Sequence, residues 1–172
     1  FYYHSHVKYQ LDQGLYGPLI IESRRPVESH DREYTLVLED WVMQDGGGTA
    51  VVQRRPPMGM MRGRMHRQPS SGPTGGPLWE PVYDGYAVNG RIRSAIKPLA
   101  VRPGDRVKLR LINAAASTQF YLRLAGHTLS VTHADGNPVR PVDTDVLRIG
   151  MGERYDIMIE ANNPGSWVLA AY

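Results

Sequence analysis

Residues 106–111 read Arg-Val-Lys-Leu-Arg-Leu, with an apolar side chain at every second position. Because successive side chains of a β-strand point to opposite faces, this alternation predicts a strand with one buried and one solvated face. Four further segments largely follow the same period of two, and we find no convincing amphipathic helix. These segments are residues 34–39, 120–124, 129–132 and 155–160. The pattern therefore predicts an all-β fold.

Turn-forming residues separate the predicted strands. Asn89-Gly90 suits a two-residue hairpin turn, and Pro-Gly or Asp-Gly pairs predict tight reversals at residues 102–105 and 135–138. The sequence Asn-Asn-Pro-Gly at residues 162–165 precedes a last predicted strand. Turns that recur about every ten residues are typical of an antiparallel sandwich or barrel.

One segment, residues 44–78, interrupts this rhythm. It holds eight glycines and five prolines in 35 residues, too many for the interior of a strand or helix. We therefore predict a long loop or a mobile insertion. Without it, residues 34–172 come close to the ~100 residues of a seven-to-nine-stranded sandwich.

The composition excludes several classes of protein. With 41% hydrophobic and 22% charged residues among 172, the chain is globular rather than disordered. It has no cysteine, which excludes disulfides, zinc–thiolate sites, a cysteine nucleophile and a blue-copper thiolate within these residues. No apolar run reaches the ~18 residues of a membrane helix, so no membrane span is expected.

The basic charge is local. Residues 53–67 contain five arginines and no acid, and without them the 20 basic residues fall to 15 against 17 acidic ones. A general phosphate-binding face is therefore not supported. Nucleic-acid binding through this stretch is a weaker alternative, because the stretch lacks interleaved aromatic residues. We predict no nucleic-acid partner.

Two histidines, His4 and His6, form the strongest candidate site. At ~3.4 Å per residue, their side chains leave the same face of a predicted strand about 7 Å apart, so each could bind one of two adjacent metal ions. Imidazole binds copper, iron, nickel and zinc, so the spacing alone does not name the metal. Two solvent-facing histidines without a ligand role are the alternative.

The sequence around this pair resembles the multicopper oxidases, the laccase-like family. Residues 1–6 and 13–22 are similar to the end of the family's first cupredoxin domain, and Gly14 and Gly17 would supply backbone freedom there. Six further motifs follow in the order of the family's middle domain. They are Glu39-Asp40-Trp41, Val88-Asn89-Gly90-Arg91, Val101-Arg102-Pro103-Gly104-Asp105, Leu111-Ile112-Asn113-Ala114, His133-Ala134-Asp135-Gly136 and Gly152-Glu153-Arg154-Tyr155-Asp156.

The resemblance implies a fold and a division of the chain. The fold would be an all-β, cupredoxin-like Greek-key β-sandwich, preceded by the terminal strands of another cupredoxin domain. Residues 1–25 would end domain one, residues 26–33 would be a linker, and residues 34–172 would be domain two with its insertion at 44–78.

The resemblance also implies an enzyme. It would take single electrons from a reducing substrate at a type 1 copper and pass them to a trinuclear copper cluster, where dioxygen is reduced to water. His4 and His6 match the positions at which the family places one ligand to each of the two type 3 copper ions. The remaining copper motifs are missing, so we expect a fragment, inactive alone and completed by cupredoxin domains one and three. The family implies an extracytoplasmic location, periplasmic or secreted, but the reducing substrate is not identified.

Other residues of the middle domain have structural interpretations. We expect His127 and His133 to be hydrogen-bonded rather than metal-bound, and Asp135 with Asp156 to be no acid–base pair. Arg154 would form a local ion pair or bind backbone groups. A non-catalytic cupredoxin-like binding or structural module, in which His4 and His6 are incidental, is the alternative to the oxidase.

The insertion carries a second candidate site. Four methionines and His66 cluster there, and thioether sulfur is a soft ligand suited to Cu(I). The methionines are Met58, Met60, Met61 and Met65. The five arginines nearby would repel a cation, so an ordinary flexible surface loop is the alternative.

Overall fold

The computed structural model describes residues 1–7, 10–22, 24, 28–42, 51–53, 79–81 and 83–172, of which 51–53 and 79–81 are described by their backbone. Their regular structure is thirteen strands and a short 3-10 turn at Arg93–Ala95. Within these ranges no helix has the length and apolar character needed to cross a membrane. The strands are β1 (Tyr2–His4), β2 (Tyr16–Pro18), β3 (Arg32–Trp41), β4 (Val51–Gln53), β5 (Trp79–Pro81), β6 (Gly85–Val88), β7 (Arg106–Asn113), β8 (Phe120–Leu124), β9 (Leu129–Ala134), β10 (Asn137–Thr144), β11 (Leu147–Ile149), β12 (Arg154–Glu160) and β13 (Leu169–Ala171).

Two sheets form a sandwich around one apolar core. The larger sheet has the order β10-β9-β12-β7-β3-β6, and the smaller has the order β11-β8-β13. Leu109 and Ile157 from the larger sheet belong to the same buried cluster as Leu122 and Ile149 from the smaller one. All four side chains are at most 2% exposed, so the core lies between the sheets and the predicted sandwich is confirmed.

The long strands follow the predicted pattern. The structure has a strand at each of the five alternating segments, and β8 has the predicted bounds. Asn89 and Gly90, and likewise Asp135 and Gly136, lie in two-residue turns with positive φ. This conformation matches the twist of the adjoining strands. The turn predictions at these positions are confirmed.

One strand pairing differs from the antiparallel prediction. Among the ladders of the described residues, eight are antiparallel and one, between β3 and β7, is parallel. A parallel pair needs a long connection, and residues 42–105 separate these two strands. Local periodicity cannot predict the direction of a partner so distant in sequence.

The insertion also differs from its prediction. Val51–Gln53 forms a strand inside residues 44–78 and pairs antiparallel with Trp79–Pro81. The prediction of a long loop or a mobile insertion at 44–78 did not include this strand, and the rest of the insertion lies outside the described residues.

Strands β1 and β2 form a separate hairpin that packs on the larger sheet. Tyr2 and Tyr16 of this hairpin contact a second buried cluster formed by Val37, Ile112 and Ala114. Residues 36–40 of β3 are consequently buried without interruption, rather than at every second position. The hairpin covers the face of β3 that the alternating pattern had predicted to be solvated.

Two buried polar side chains hold the loop that follows β7. Asp40 accepts hydrogen bonds from the backbone N–H groups of Ala116 (2.8 Å) and Ser117 (3.0 Å) and from the hydroxyl of Thr118 (2.9 Å). Asn113, fully buried, bonds three backbone groups through its amide. Because these polar groups are paired, their burial is tolerated in the sandwich.

Candidate metal centre

The hairpin places the two histidines on one side of the chain. His4 is the last residue of β1 and lies opposite Tyr16 of β2 in the antiparallel ladder. His6 follows two residues later, beyond the end of the strand. The centroids of the two imidazole rings are 4.5 Å apart, and the ring planes are tilted by 32°. The two rings are therefore neighbours on one side of the chain, as their spacing predicted, although His6 lies outside the strand.

A tyrosine fixes the outer face of the His4 ring. The Tyr2 ring lies parallel to the His4 imidazole, with 11° between the planes and 4.9 Å between the centroids. Tyr2 itself packs on the second buried cluster. His4 is thus held between the rings of Tyr2 and His6.

The polar contacts of His4 indicate which nitrogen is available. Its Nδ1 lies 3.3 Å from the backbone carbonyl oxygen of Ser5. If Nδ1 carries the hydrogen and donates it to this carbonyl, Nε2 keeps its lone pair. A metal-bound histidine commonly donates its other N–H to a carbonyl in this manner. In this tautomer, Nε2 of His4 is the nitrogen that can bind a metal.

The donor set fits copper but is incomplete. His4 is half-buried and His6 is exposed, so both rings can reach a metal ion, and neutral imidazole is a good copper ligand. Among the described residues, no group of three or more histidines, aspartates or glutamates is placed to hold a metal ion. Further ligands would have to come from outside this part of the chain.

The two glycines of the hairpin have different roles. Gly14 has a φ of +87°, which non-glycine residues rarely adopt, so its predicted backbone freedom is confirmed. Gly17 does not have a positive φ. It lies opposite Tyr3 in the ladder, and a Cβ on Gly17 would come within 2.5 Å of the Tyr3 hydroxyl oxygen. Gly17 therefore supplies space rather than conformational freedom, which corrects the prediction.

A buried polar group lies behind the hairpin. Trp41 Nε1 donates to the Tyr16 hydroxyl at 3.5 Å, and the Gly90 N–H donates to Glu39 Oε2 at 2.9 Å. Burial, more than any other effect, raises the pKa of Tyr16 to about 12, and burial also raises the pKa of Glu39. The side of β2 across from His4 therefore keeps a neutral tyrosine at physiological pH.

His127 and His133 have contacts of their own, separate from the His4–His6 pair. His127 Nδ1 is 3.0 Å from the carbonyl oxygen of Ala125, and its ring meets Trp167 edge-on. His133 Nδ1 is 3.1 Å from the Thr132 hydroxyl and 3.6 Å from a carboxylate oxygen of Glu28. These contacts fit the structural interpretation of both residues.

The two aspartates have separate cationic partners. Asp135 lies 3.1 Å from Arg154, and Asp156 lies 2.9 Å from Lys108. Arg154 also donates to the backbone carbonyls of Gly152 and Asp135. Arg154 thus forms a local ion pair and also binds backbone groups, the two roles predicted for it.

Comparison with known proteins decides the family. The sequence profile of the family described as "Multicopper oxidase" matches residues 32–172. The chain belongs to the multicopper oxidase family.

Individual multicopper oxidases agree with this assignment. The chain is 39% identical over 170 residues to multicopper oxidase MmcO of Mycobacterium tuberculosis, covering 92% of this chain and 33% of the relative. It is 29% identical to copper resistance protein A of Escherichia coli, covering 99% of this chain and 32% of that protein. The chain thus spans about a third of the length of these relatives.

Solved structures confirm the fold. The crystal structure of blue copper oxidase from Nitrosomonas europaea superimposes with a TM-score of 0.76 at 28% identity, covering 99% of this chain and 48% of that one. The sandwich is therefore the cupredoxin fold of multicopper oxidases.

Two parts of the sequence prediction lie outside the described residues. The methionine cluster, Met58 to Met65 with His66, falls in the segment 54–78, as do the five arginines. The Cu(I) site therefore stays a prediction.

Tyr2, Ser5 and Gln10, which support the histidine pair, were not predicted from the sequence. Tyr2 lies two positions before His4, so the strand period could have placed it on the same face. Ser5 and Gln10, whose side chains bond each other, left no comparable signal in the sequence pattern.

Proposed function

We propose that this chain is part of a multicopper oxidase that couples one-electron oxidation of a reducing substrate to four-electron reduction of dioxygen to water. His4 and His6 are the ligands it contributes, one to each ion of a type 3 copper pair in a trinuclear cluster. The observation that carries this proposal is the contact of their rings at 4.5 Å on one side of the hairpin.

The incomplete donor set supports the division of the chain made from the sequence. Residues 1–25 are the end of a first cupredoxin domain, and residues 34–172 are the second, with the linker 26–33 between them. Much of the hairpin's apolar surface is exposed, as expected if it belongs to another sandwich. The exposed residues are Phe1, Tyr3, Val7, Leu15, Leu19 and Ile21. Cupredoxin domains one and three complete the copper sites.

The chain's own residues position ligands rather than carry out proton transfer. When bound, copper supplies the electron transfer to dioxygen. The ladder of β1 and β2 sets the backbone of His4, the Tyr2 ring limits the rotation of its imidazole, and the Ser5 carbonyl holds Nδ1. The sandwich carries this hairpin through Val37, Ile112 and Ala114. The second domain thereby fixes the distance of the hairpin from the rest of the enzyme.

The cellular location of the protein is a separate proposal. We place the protein outside the cytoplasm, in the periplasm or secreted, because the family resemblance implies it. The reducing substrate stays open, since the chain contains no type 1 copper site to receive its electrons.

The test uses the full-length protein with His4→Ala and His6→Ala, and His127→Ala as a control away from the pair. Bound copper and oxygen consumption with a phenolic donor and a metal-ion donor are measured. We expect each variant of the pair to lose copper and at least 100-fold in oxygen consumption, as removal of a reaction's core groups does. Unchanged copper content and rate in both variants would favour the non-catalytic module.

A further inference from the structure

His4 and His6 are held by different parts of the structure. His4 pairs with Tyr16 in the β1–β2 ladder, and this is the last pair of the ladder. His6 lies beyond it and therefore receives no support from strand pairing. His6 is also exposed, and its ring contact in the described structure is with His4. A ligand on exposed backbone loses precision unless neighbouring groups restrain it.

Ser5, the residue between the histidines, provides such restraint. Its backbone N–H donates to the Leu15 carbonyl at 3.1 Å, which extends the hairpin by one bond. Its hydroxyl donates to Gln10 Oε1 and accepts from the Val7 N–H at 3.1 Å. Ser5 and Val7 flank His6, so both neighbours of this histidine are fixed through one hydroxyl.

Gln10 connects that hydroxyl to the other arm of the hairpin. Its backbone N–H donates to the Val7 carbonyl at 3.1 Å, and its carbonyl accepts from the Leu15 N–H at 2.9 Å. The side chain and the backbone of Gln10 thus both bind the turn that carries His6. Ser5 and Gln10 are half-buried, so water competes less for the hydrogen bond between their side chains than it would at an open surface.

We propose that the Ser5–Gln10 hydrogen bond is a positioning device for His6, holding its imidazole beside that of His4 for the second copper ion. Ser5 and Gln10 are positioning residues and do not contact the metal. This inference rests on the proposed function. Partners that orient a metal ligand typically contribute 10- to 100-fold to metal affinity.

The experiment measures copper affinity of the full-length protein by competition with a chelator. Ser5→Ala removes both hydroxyl bonds and Gln10→Leu removes the acceptor, and each should weaken binding by about 10-fold. Ser5→Thr retains a hydroxyl and Gln10→Glu retains an acceptor, so both should stay within about 3-fold of the parent. Ser117→Ala is the matched control, because that residue is exposed and its backbone N–H, which binds Asp40, is retained.

A double-variant cycle separates positioning from general stability. If Ser5 acts through His6, Ser5→Ala should weaken copper binding no further once His6→Ala is present, because the interaction is already lost. The proposal would be overturned if Ser5→Ala weakened copper binding equally in the parent protein and in His6→Ala. It would also be overturned if Ser5→Ala bound copper with the full affinity of the parent. If His6→Ala itself leaves copper binding unchanged, the proposed function fails; if only Ser5→Ala does so, the positioning role alone fails.

Discussion

The rings of Tyr2 and His4 lie parallel, 4.9 Å apart, with 11° between their planes. This stack follows from their spacing, because residues i and i+2 of a strand share a face. Tyr2 packs on Val37, Ile112 and Ala114, so the stack connects a candidate copper ligand to the second buried cluster.

The stack predicts that Tyr2 restrains the His4 ring. Tyr2→Ala should weaken copper binding about 10-fold by releasing the imidazole, the range typical for groups that orient ligands. Tyr2→Phe preserves the ring and should bind copper as the parent does. Chelator competition on the full-length protein measures both. Equal loss in Tyr2→Phe and Tyr2→Ala would assign the effect to the hydroxyl instead of the stack.

We expect Asp40 to stabilise the loop that follows β7. Asp40→Ala leaves the donors of Ala116, Ser117 and Thr118 without their acceptor and should cost about 2–3 kcal/mol. The amide hydrogens of Ala116 and Ser117 should then exchange faster with solvent, as measured by mass spectrometry. Asp143→Asn, at an exposed position, is the control. Unchanged exchange at both amides would show that Asp40 does not hold the loop.

We expect the hydroxyl of Tyr16 to titrate only at strongly alkaline pH. Its pKa of about 12, raised chiefly by burial, lies above the value of about 10 expected in the unfolded chain. Its contribution to stability is therefore complete below pH 10 and is lost as the pH rises through 12. The phenolate absorbance of the parent minus that of Tyr16→Phe, recorded directly after a pH jump, should have its midpoint near pH 12. A midpoint near pH 10 would contradict the burial of this hydroxyl.

We expect a side chain at position 14 to strain the backbone at the turn of the hairpin. No other group lies within 4 Å of where a Cβ would be, but φ is +87°. Gly14→Ala should therefore destabilise the hairpin by about 1 kcal/mol through backbone strain alone. Thermal unfolding of the full-length protein and amide exchange of Leu15 measure this. Gly90 also has a positive φ and open space around it, so Gly90→Ala should reduce the stability of its own turn by a similar free energy. A Gly14→Ala protein as stable as the parent would contradict the assignment.

The sequence was sufficient to predict those parts of the fold that depend on near neighbours. The alternation at residues 106–111 predicted β7, and Asp135-Gly136 predicted the turn into β10. The pairing of β3 with β7 was missed, because its direction depends on residues 42–105. Val37 and Glu39 were expected on a solvated face, but both are buried, since a hairpin from the start of the chain covers Val37. Such burial has no local signature.

In the candidate site, too, some features were predictable from local sequence and others depended on residues further along the chain. The side on which His4 and His6 lie follows from their spacing, whereas the Ser5–Gln10 bond depends on the path of the turn between residues 5 and 15. The role of Gly17 was likewise misjudged, because the Tyr3 ring that needs its space belongs to the opposite strand. Contacts across a hairpin thus had to be seen in the structure.

We propose above that His4 and His6 each bind one of two neighbouring copper ions. Anomalous diffraction at the copper absorption edge, on crystals of the full-length protein, tests it directly. We predict two separate copper peaks, one within bonding distance of a His4 ring nitrogen and the other within bonding distance of a His6 ring nitrogen. Copper bound elsewhere in the crystal, with no peak beside either imidazole, would contradict the assignment of His4 and His6 as copper ligands.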